Sequence, residues 1–163
     1  MFKLEQIDAR FHVVRQGGVA LDLGCAPGSW SQWLGQHGMR TIGVDEQPGP
    51  WIVKSVYEVD PAEIGPVDLV VSDMAPSTTG DRFTDHVRQI GLATRALDLA
   101  EACLRPGGAF VCKVFDGEDA NAFVERVRTG FTEMRRLKPD ATRGRSVEFF
   151  VVGKGKKQEG RRL

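Results

Sequence analysis

The chain of 163 residues is long enough for one domain, and its 41% hydrophobic and 27% charged residues are typical of a globular protein. It contains no run of 18 or more apolar residues and no apolar region of a secretory signal near Met1, so we expect a cytoplasmic protein without a membrane span. The cysteines at 25, 103 and 112 have no CxxC spacing. They predict reduced thiols and no metal site.

The net charge of zero conceals an uneven distribution along the chain. Residues 1–125 carry 10 Lys and Arg against 18 Asp and Glu, whereas residues 126–163 carry 12 against 4. A basic final quarter on an otherwise acidic chain is typical of a surface that faces a polyanion. A solvated charged tail is the alternative interpretation, above all for the last residues, KGKKQEGRRL.

Short apolar runs alternate with helical patterns along the chain, and each run is bounded by turn residues. Helices are predicted from about residue 30 to 37, with Ser29 or Ser31 as the N-cap, and over 84–103 and 119–129. The first long helix should end before the breaker sequence RPGG at 105–108. The predicted strands are residues 19–23, 41–44, 52–53, 67–71, 109–114, 134–137 and 147–152.

Strands that alternate with helices predict a single-domain α/β fold with a mainly parallel, seven-stranded, Rossmann-like sheet. Only about nine residues separate the last two predicted strands, which is too few for a parallel crossover. The last strand should therefore run antiparallel to its neighbour. No repeat or linker marks a second domain, so we expect a catalytic domain over 1–155 and a basic C-terminal tail over 156–163.

A glycine loop, DLGCAPG, follows the first predicted strand and precedes a helix. Gly24 and Gly28 allow the backbone to approach a ligand closely. The loop lacks the glycine spacing of a dinucleotide site and the GK[ST] of a phosphate-binding loop, so it favours a ligand without phosphates. Asp45 ends the next strand, where a carboxylate can accept hydrogen bonds from ribose hydroxyls. S-adenosylmethionine is a nucleoside ligand of this kind, because it has no phosphate group. Asp73 lies at the end of a third predicted strand.

Four segments, DLGCAPGSWSQ, VVSDMAPSTTG, GGAFVCKVF and KPDATRGRSVEFFVV, together resemble the FtsJ-type ribosomal RNA methyltransferases. The resemblance extends over nearly the whole chain. It implies a methyltransferase fold and S-adenosylmethionine-dependent 2′-O-ribose methylation of large-subunit (23S) ribosomal RNA, at a uridine. It also implies a catalytic tetrad, which falls here on Lys3, Asp73, Lys113 and Glu148.

The tetrad residues suit the chemistry that the resemblance implies. A ribose hydroxyl is a poor nucleophile, so an enzyme must position it and help to remove its proton. Our hypothesis is that Lys113 accepts or guides this proton and is oriented by Asp73, while Lys3 and Glu148 position the ribose and a neighbouring phosphate. A lysine is charged at neutral pH, so burial and the nearby Lys3 must compete with the two carboxylates.

The family pattern also suggests which residues contact the cofactor. It falls on Gly24, Gly28, Trp30, Asp45 and Asp73, although Trp30 could equally be a packing residue. The family places a Gly-Asp pair after the third strand for the adenine, whereas this chain has Lys54-Ser55 there. The adenine contact could come from Ser55, from a backbone group or from Glu58.

The family normally has a basic segment ahead of the FKL sequence, and here Met1 stands directly before it. We therefore expect a monomer that holds RNA mainly through its catalytic face and through Arg135, Arg136, Lys138, Arg143 and Arg145. Two alternatives stay open: the same reaction on a tRNA or another RNA, and a non-catalytic module that binds S-adenosylmethionine or RNA.

Overall fold

The computed structural model describes residues 2–138 and 148–158. The helices are α1 (Phe2–Phe11), α2 (Ser29–Gln36), α3 (Pro61–Ile64), α4 (Arg82–Cys103) and α5 (Ala120–Gly130), with a 3₁₀ turn at Val56–Glu58. The strands are β1 (Val19–Leu23), β2 (Arg40–Asp45), β3 (Ile52–Val53), β4 (Val67–Ser72), β5 (Leu104–Phe115), β6 (Phe131–Leu137) and β7 (Glu148–Lys156). Within the described residues, no helix is long and apolar enough to cross a membrane.

The strands form one seven-stranded sheet in the order β3-β2-β1-β4-β5-β7-β6. The neighbouring strands from β3 to β5 are parallel, whereas β7 is antiparallel to both β5 and β6. This arrangement confirms the predicted fold class, including the antiparallel last strand. Because strand order reverses between β1 and β4, the carboxyl ends of these two strands flank the crevice in which such folds bind ligands.

Two apolar clusters cover the two faces of the sheet. One cluster packs α4 and α5 against residues such as Leu21, Val70 and Phe110. The other packs α1 and α2 against the opposite face, where Leu4 and Ile7 are fully buried. Parallel strands that are covered on both faces consist of nearly continuous apolar residues, so these strands could be predicted from the sequence.

Some local predictions were wrong or incomplete. Gly28, at φ 115°, is the N-cap of α2 and provides no side-chain hydrogen bond, so neither Ser29 nor Ser31 has that role. Helix α1 and the four-residue helix α3 were not predicted from the sequence. The long helix α4 ends at Cys103 as predicted, but β5 begins directly at Leu104. A shift in register against β4 accommodates the RPGG sequence there.

Candidate active site

The carboxyl ends of β1, β2 and β4 border a cavity of about 710 Å³. This volume is within the range of ordinary small-molecule sites. Four of the predicted cofactor residues line it: Gly24, Asp45, Ser55 and Asp73. Other lining residues include Lys54, Tyr57, Met74, Ser77, Arg88 and Leu92.

The glycine loop forms the wall of this cavity beside β1. Gly24 has a φ of 74°, and a Cβ atom there would lie 2.5 Å from Cγ of Met74. The backbone N–H groups of Gly24 and Cys25 donate to the carbonyl of Val44, at 2.9 and 3.2 Å. The loop is thereby fixed against β2, and only a glycine leaves the room that exists at position 24.

Asp45 connects the glycine loop to the chain that follows β2. One of its oxygens accepts a hydrogen bond from the N–H of Ala26 and the other from the N–H of Gln47, both at 2.9 Å. Each carboxylate oxygen can accept a second bond, so Asp45 keeps acceptor capacity toward the cavity. This is the placement expected of a group that binds ribose hydroxyls.

Gly28 and Trp30 do not line the 710 Å³ cavity. Gly28 borders a separate cavity of about 510 Å³ on the other side of the loop. Trp30 is 6% exposed and packs against Phe150, with ring centroids 6.2 Å apart. Ser55 lines the main cavity, and its side chain accepts a hydrogen bond from the N–H of Tyr57. The cofactor contacts of these residues stay predictions.

The four predicted catalytic residues form two ion pairs. Lys113 Nζ lies 3.1 Å from Asp73 Oδ1, and Lys3 Nζ lies 2.9 Å from Glu148 Oε1. The Lys113 side chain is 13% exposed and is the less accessible lysine, since Lys3 is 40% exposed. Asp73 Oδ1 is buried, and its contact with Lys113 meets the distance but not the angles of a hydrogen bond.

Strand register places the two pairs side by side. Lys113 is opposite Phe150 and Phe115 is opposite Glu148 in the antiparallel β5–β7 ladder. Directly opposed residues point to the same face of a sheet, as do residues two apart on one strand. Lys113 and Glu148 therefore share a face, and Lys3 extends from α1 over the Phe150 ring on that face, 5.4 Å from its centroid.

One buried carboxylate of this site was not identified from the sequence. Asp22 in β1 is 2% exposed and accepts a hydrogen bond from Ser31 Oγ at 2.7 Å. Burial raises the pKa of Asp22 to about 6; the bonds from Ser31 oppose this rise, and the charges of Asp73 and Asp45 add to it. The available signal was a charged residue inside an otherwise apolar five-residue strand.

The cysteines have no part in the chemistry of this site. Cys25, Cys103 and Cys112 are all free and buried. Burial raises the pKa of the Cys25 thiol to about 12, and the neighbouring charges of Asp22 and Asp45 act in the same direction. A thiol with so high a pKa stays protonated at neutral pH and is a weak nucleophile.

The similarity to known proteins extends over nearly the whole chain. The family model described as FtsJ-like methyltransferase matches residues 1–156. A protein of Desulfosudis oleivorans named ribosomal RNA large subunit methyltransferase E is 39% identical over 97% of this chain and 84% of its own length. A protein of Sorangium cellulosum with the same name is 41% identical, over 99% and 82% respectively.

Solved structures show the same fold at lower sequence identity. A Plasmodium falciparum protein, provisionally named a ribosomal RNA methyltransferase, superposes with a TM-score of 0.79 at 23% identity, covering 95% of both chains. A 16S rRNA methyltransferase of T. thermophilus superposes with a TM-score of 0.63 at 20% identity, covering 95% of this chain and 42% of that one.

The family match confirms the predicted enzyme class and S-adenosylmethionine as the methyl donor. It also agrees with the geometry, since the cavity lies at the strand ends where the glycine loop and Asp45 meet. The chain belongs to the family of FtsJ-like methyltransferases.

Proposed function

We propose that this enzyme methylates a ribose 2′-hydroxyl of large-subunit ribosomal RNA, at a uridine of the 23S molecule. The observation that carries the proposal is the Asp73–Lys113 pair, which stands beside the cofactor cavity and next to the Lys3–Glu148 pair. The relatives named above, at about 40% identity, are large-subunit rRNA methyltransferases.

The residues around the main cavity fit S-adenosylmethionine. Asp45 would accept hydrogen bonds from the ribose of the cofactor, and Ser55 would lie on the adenine side. Gly24 leaves room where a side chain would collide with Met74. When bound, the cofactor supplies a methyl group on a positively charged sulfur, already activated for transfer to an oxygen nucleophile.

Lys113 would receive the proton of the 2′-hydroxyl. The hydroxyl would lose this proton as its oxygen bonds to the methyl carbon and the bond from that carbon to sulfur breaks, with the electron pair staying on sulfur, so a proton acceptor must stand within hydrogen-bond distance. Asp73, at 3.1 Å, would stabilise the ammonium that forms afterwards. Asp73 would also keep the amine pointed at the acceptor oxygen.

Lys3 and Glu148 would position the RNA rather than move the proton. Their side chains are 40% and 25% exposed, so both can reach a bound polynucleotide. An ammonium can bind a phosphate as a point charge, and a carboxylate can accept a hydrogen bond from a ribose hydroxyl. The pair would therefore hold the target nucleotide beside Lys113.

Basic residues at the end of β6 add positive charge at the same end of the sheet. Leu137 is opposite Phe150, so the carboxyl end of β6 lies at the same sheet edge as Lys113. Arg135, Arg136 and Lys138 are exposed there, and the Arg136 guanidinium lies 4.1 Å from the centroid of the Phe149 ring. Arg143 and Arg145, which the sequence analysis added to this group, lie outside the described residues. Phosphate contacts by these cations would make binding fall steeply with salt.

The remaining expectations belong to the same proposal. The enzyme would act as a cytoplasmic monomer, with a catalytic domain over 1–155 and a basic tail over 156–163. The uneven charge along the chain supports the RNA-binding part of this proposal, because Arg135, Arg136 and Lys138 belong to its basic segment.

A methyl-transfer assay with labelled cofactor tests the proposal. Purified protein is offered large ribosomal subunits, free large-subunit rRNA and tRNA, and the modified ribose is then mapped. We expect transfer to large-subunit rRNA, free or assembled, on a 2′-oxygen. Lys113→Met should lower kcat by about 10²-fold or more, which is the contribution of a general base.

A matched lysine provides the control for this loss. Lys156 is 9% exposed in β7 and stands opposite Phe131, at the far edge of the sheet from Lys113. Lys156→Met should leave kcat within about twofold, less than 0.5 kcal/mol in the barrier. If only tRNA is methylated, tRNA and not rRNA is the substrate. If no RNA is methylated, a non-catalytic binding module is favoured. If Lys113→Met has near-normal turnover, Lys113 is not the proton acceptor.

A further inference from the structure

A buried glutamine of α4 lies where the strands that carry Asp73 and Lys113 separate. Gln89 is 1% exposed. The last pair of the parallel β4–β5 ladder is Ser72 opposite Cys112, one residue before Asp73 and one before Lys113. Beyond this pair, β4 no longer supplies backbone partners to β5.

The side chain of Gln89 supplies those partners instead. Its Nε2 donates to the carbonyl of Lys113 at 2.8 Å, and its Oε1 accepts from the N–H of Phe115 at 2.7 Å. In a parallel ladder, the N–H and C=O of one residue bond in this way to two residues of the next strand that are two positions apart. The amide of Gln89 therefore extends the ladder by one step past the end of β4.

The second N–H of the Gln89 amide donates a hydrogen bond to the segment that follows β4. Nε2 also donates to the carbonyl of Met74 at 3.2 Å, directly after Asp73. The two carbonyls need donors and the Phe115 N–H needs an acceptor, so only one orientation of the amide satisfies all three. One side chain thus bonds to the backbone beside both members of the Asp73–Lys113 pair.

His86, one turn earlier on α4, continues the same pattern. It is 6% exposed, and its Nδ1 lies 3.1 Å from the carbonyl of Phe115. Its Nε2 accepts from the N–H of Asp119 at 3.1 Å. A Cβ atom at Gly117 would lie 2.5 Å from this ring. Side chains of α4 therefore hold the end of β5 where a neighbouring strand would otherwise do so.

We infer that Gln89 is a positioning residue for methyl transfer, which sets the distance between Asp73 and Lys113 by bonding to the backbone beside each of them. The inference rests on the proposed function of that pair. A methionine at position 89 would be of similar length but would remove the partner that Gln89 gives to the Met74 carbonyl and to the Phe115 N–H. It would leave the Lys113 carbonyl with only the thiol of Cys112, at 3.3 Å. The two strand ends could then move relative to each other.

Three variants test this role: Gln89→Met, Gln89→Glu and the control Ala96→Gly. Ala96 is fully buried on the same helix, so its replacement weakens the packing of α4 without removing any bond to β5. We expect Gln89→Met to lower kcat by roughly 10- to 100-fold, as small misplacements of reacting groups do. KM for RNA and the Kd for the cofactor should change by less than about threefold, because uniform binding is not affected.

Gln89→Glu adds a pH signature that lost packing alone would not produce. A protonated carboxylic acid has one donor and one acceptor, which can serve Lys113 and Phe115 but not Met74. Its kcat relative to Gln89→Met should therefore be higher at pH 6 than at pH 9. If Gln89→Met does not fold, the same pH dependence is measured as the kcat of Gln89→Glu relative to the wild type.

An NMR measurement separates this inference from the proposed function. The side-chain Nζ resonance of Lys113, assigned by its absence in Lys113→Met, should shift in Gln89→Met while that of Lys156 stays unchanged. If the wild type methylates no RNA, the proposed function fails, but this shift still reports on the position of Lys113. A Lys113 resonance that does not move would overturn the inference. A kcat of Gln89→Met within twofold of wild type, or an equal loss in Ala96→Gly, would do the same.

Discussion

Asp22→Asn tests the energetics of the site most directly, because it removes the charge of a carboxylate that is 2% exposed. Burial raises its pKa from 3.8 to about 6. Between these two values the folded chain holds a proton on Asp22 that the unfolded chain has lost. The contribution of Asp22 to stability is therefore full below pH 3.8 and decreases as pH rises toward 6.

The magnitude follows from the size of the shift. Roughly two pKa units at 1.36 kcal/mol each correspond to about 3 kcal/mol of unfolding free energy lost across this interval. Asparagine does not titrate, so the free energy of unfolding of the variant does not decrease in this way as pH rises. The bonds that Ser31 donates to Asp22 favour the charged form, so their pH-dependent part is already contained in the pKa of about 6. Replacing them with bonds to asparagine adds a constant cost of about 1 kcal/mol.

Urea unfolding of the wild type and Asp22→Asn from pH 4 to pH 8 measures both contributions. The difference in free energy of unfolding should change by about 2.5 kcal/mol over this range, in favour of the variant at high pH. Carboxylates common to both proteins cancel in this difference. A difference that is independent of pH, or that favours the wild type more at high pH, would refute the reasoning.

Asp68 provides a contrast of opposite sign. Burial acts to raise its pKa, but bonds from Val19 N–H and Arg105, with the charges of Arg105 and Arg15, hold the pKa below its ordinary value. Its contribution to stability is present above the unfolded pKa and decreases as pH falls. Asp68→Asn should therefore become more destabilising as pH rises from about 3 to 5, with a direction opposite to that of Asp22→Asn.

Three further predictions follow from the contacts of the site. Gly24→Ala should lower the free energy of unfolding by about 1–3 kcal/mol and weaken cofactor binding, because its Cβ would meet Met74 at a φ of 74°; urea unfolding and calorimetry measure this. Lys3→Met should lower kcat/KM for RNA about tenfold, with the Kd of the cofactor unchanged. Arg136→Ala should reduce the slope of log K for RNA against log salt by about 0.7–0.9.

Each of these predictions has a control in the same chain. Gly35 in α2 has open space around a Cβ atom, so Gly35→Ala should stabilise the protein by about 0.5–1 kcal/mol. A similar loss in both glycine variants would contradict the steric argument. If Lys3→Met also weakened cofactor binding, Lys3 would act at the cofactor site, which contradicts its proposed role on RNA. Arg128 lies on α5, so Arg128→Ala should leave the salt dependence unchanged, and an equal change would indicate non-specific attraction.

The strands and the cofactor loop could be predicted because their signals are local. A buried parallel strand is a continuous apolar run, and strand ends carry polar residues such as Asp45 and Asp73. The helix α1 was missed although Leu4, Ile7 and Phe11 have helical spacing. Ten residues with mixed polarity and no capping signal at the first turn gave a weak pattern.

The pairing of the catalytic residues could not be predicted, because it depends on long-range register. That Lys113 contacts Asp73 and Lys3 contacts Glu148 follows from how β5 aligns with β7 and where α1 packs. The role of Gln89 was hidden for the same reason. Its bonds connect positions 15 and 24 residues away in sequence, and nothing near it indicates which backbone groups lack partners.

Three carboxylates at neighbouring strand ends show how surroundings determine chemistry. Asp45 accepts bonds from two backbone N–H groups, Asp73 faces the ammonium of Lys113, and Asp22 is buried against Ser31. Asp22, whose pKa burial raises to about 6, therefore changes the charge of the site near that pH. We expect the kcat of the wild type to change near pH 6, as Asp22 loses its proton beside the Asp73–Lys113 pair. If Asp22→Asn shows the same change near pH 6, Asp22 does not cause it; if the change disappears, the proton on Asp22 has controlled the pair beside it.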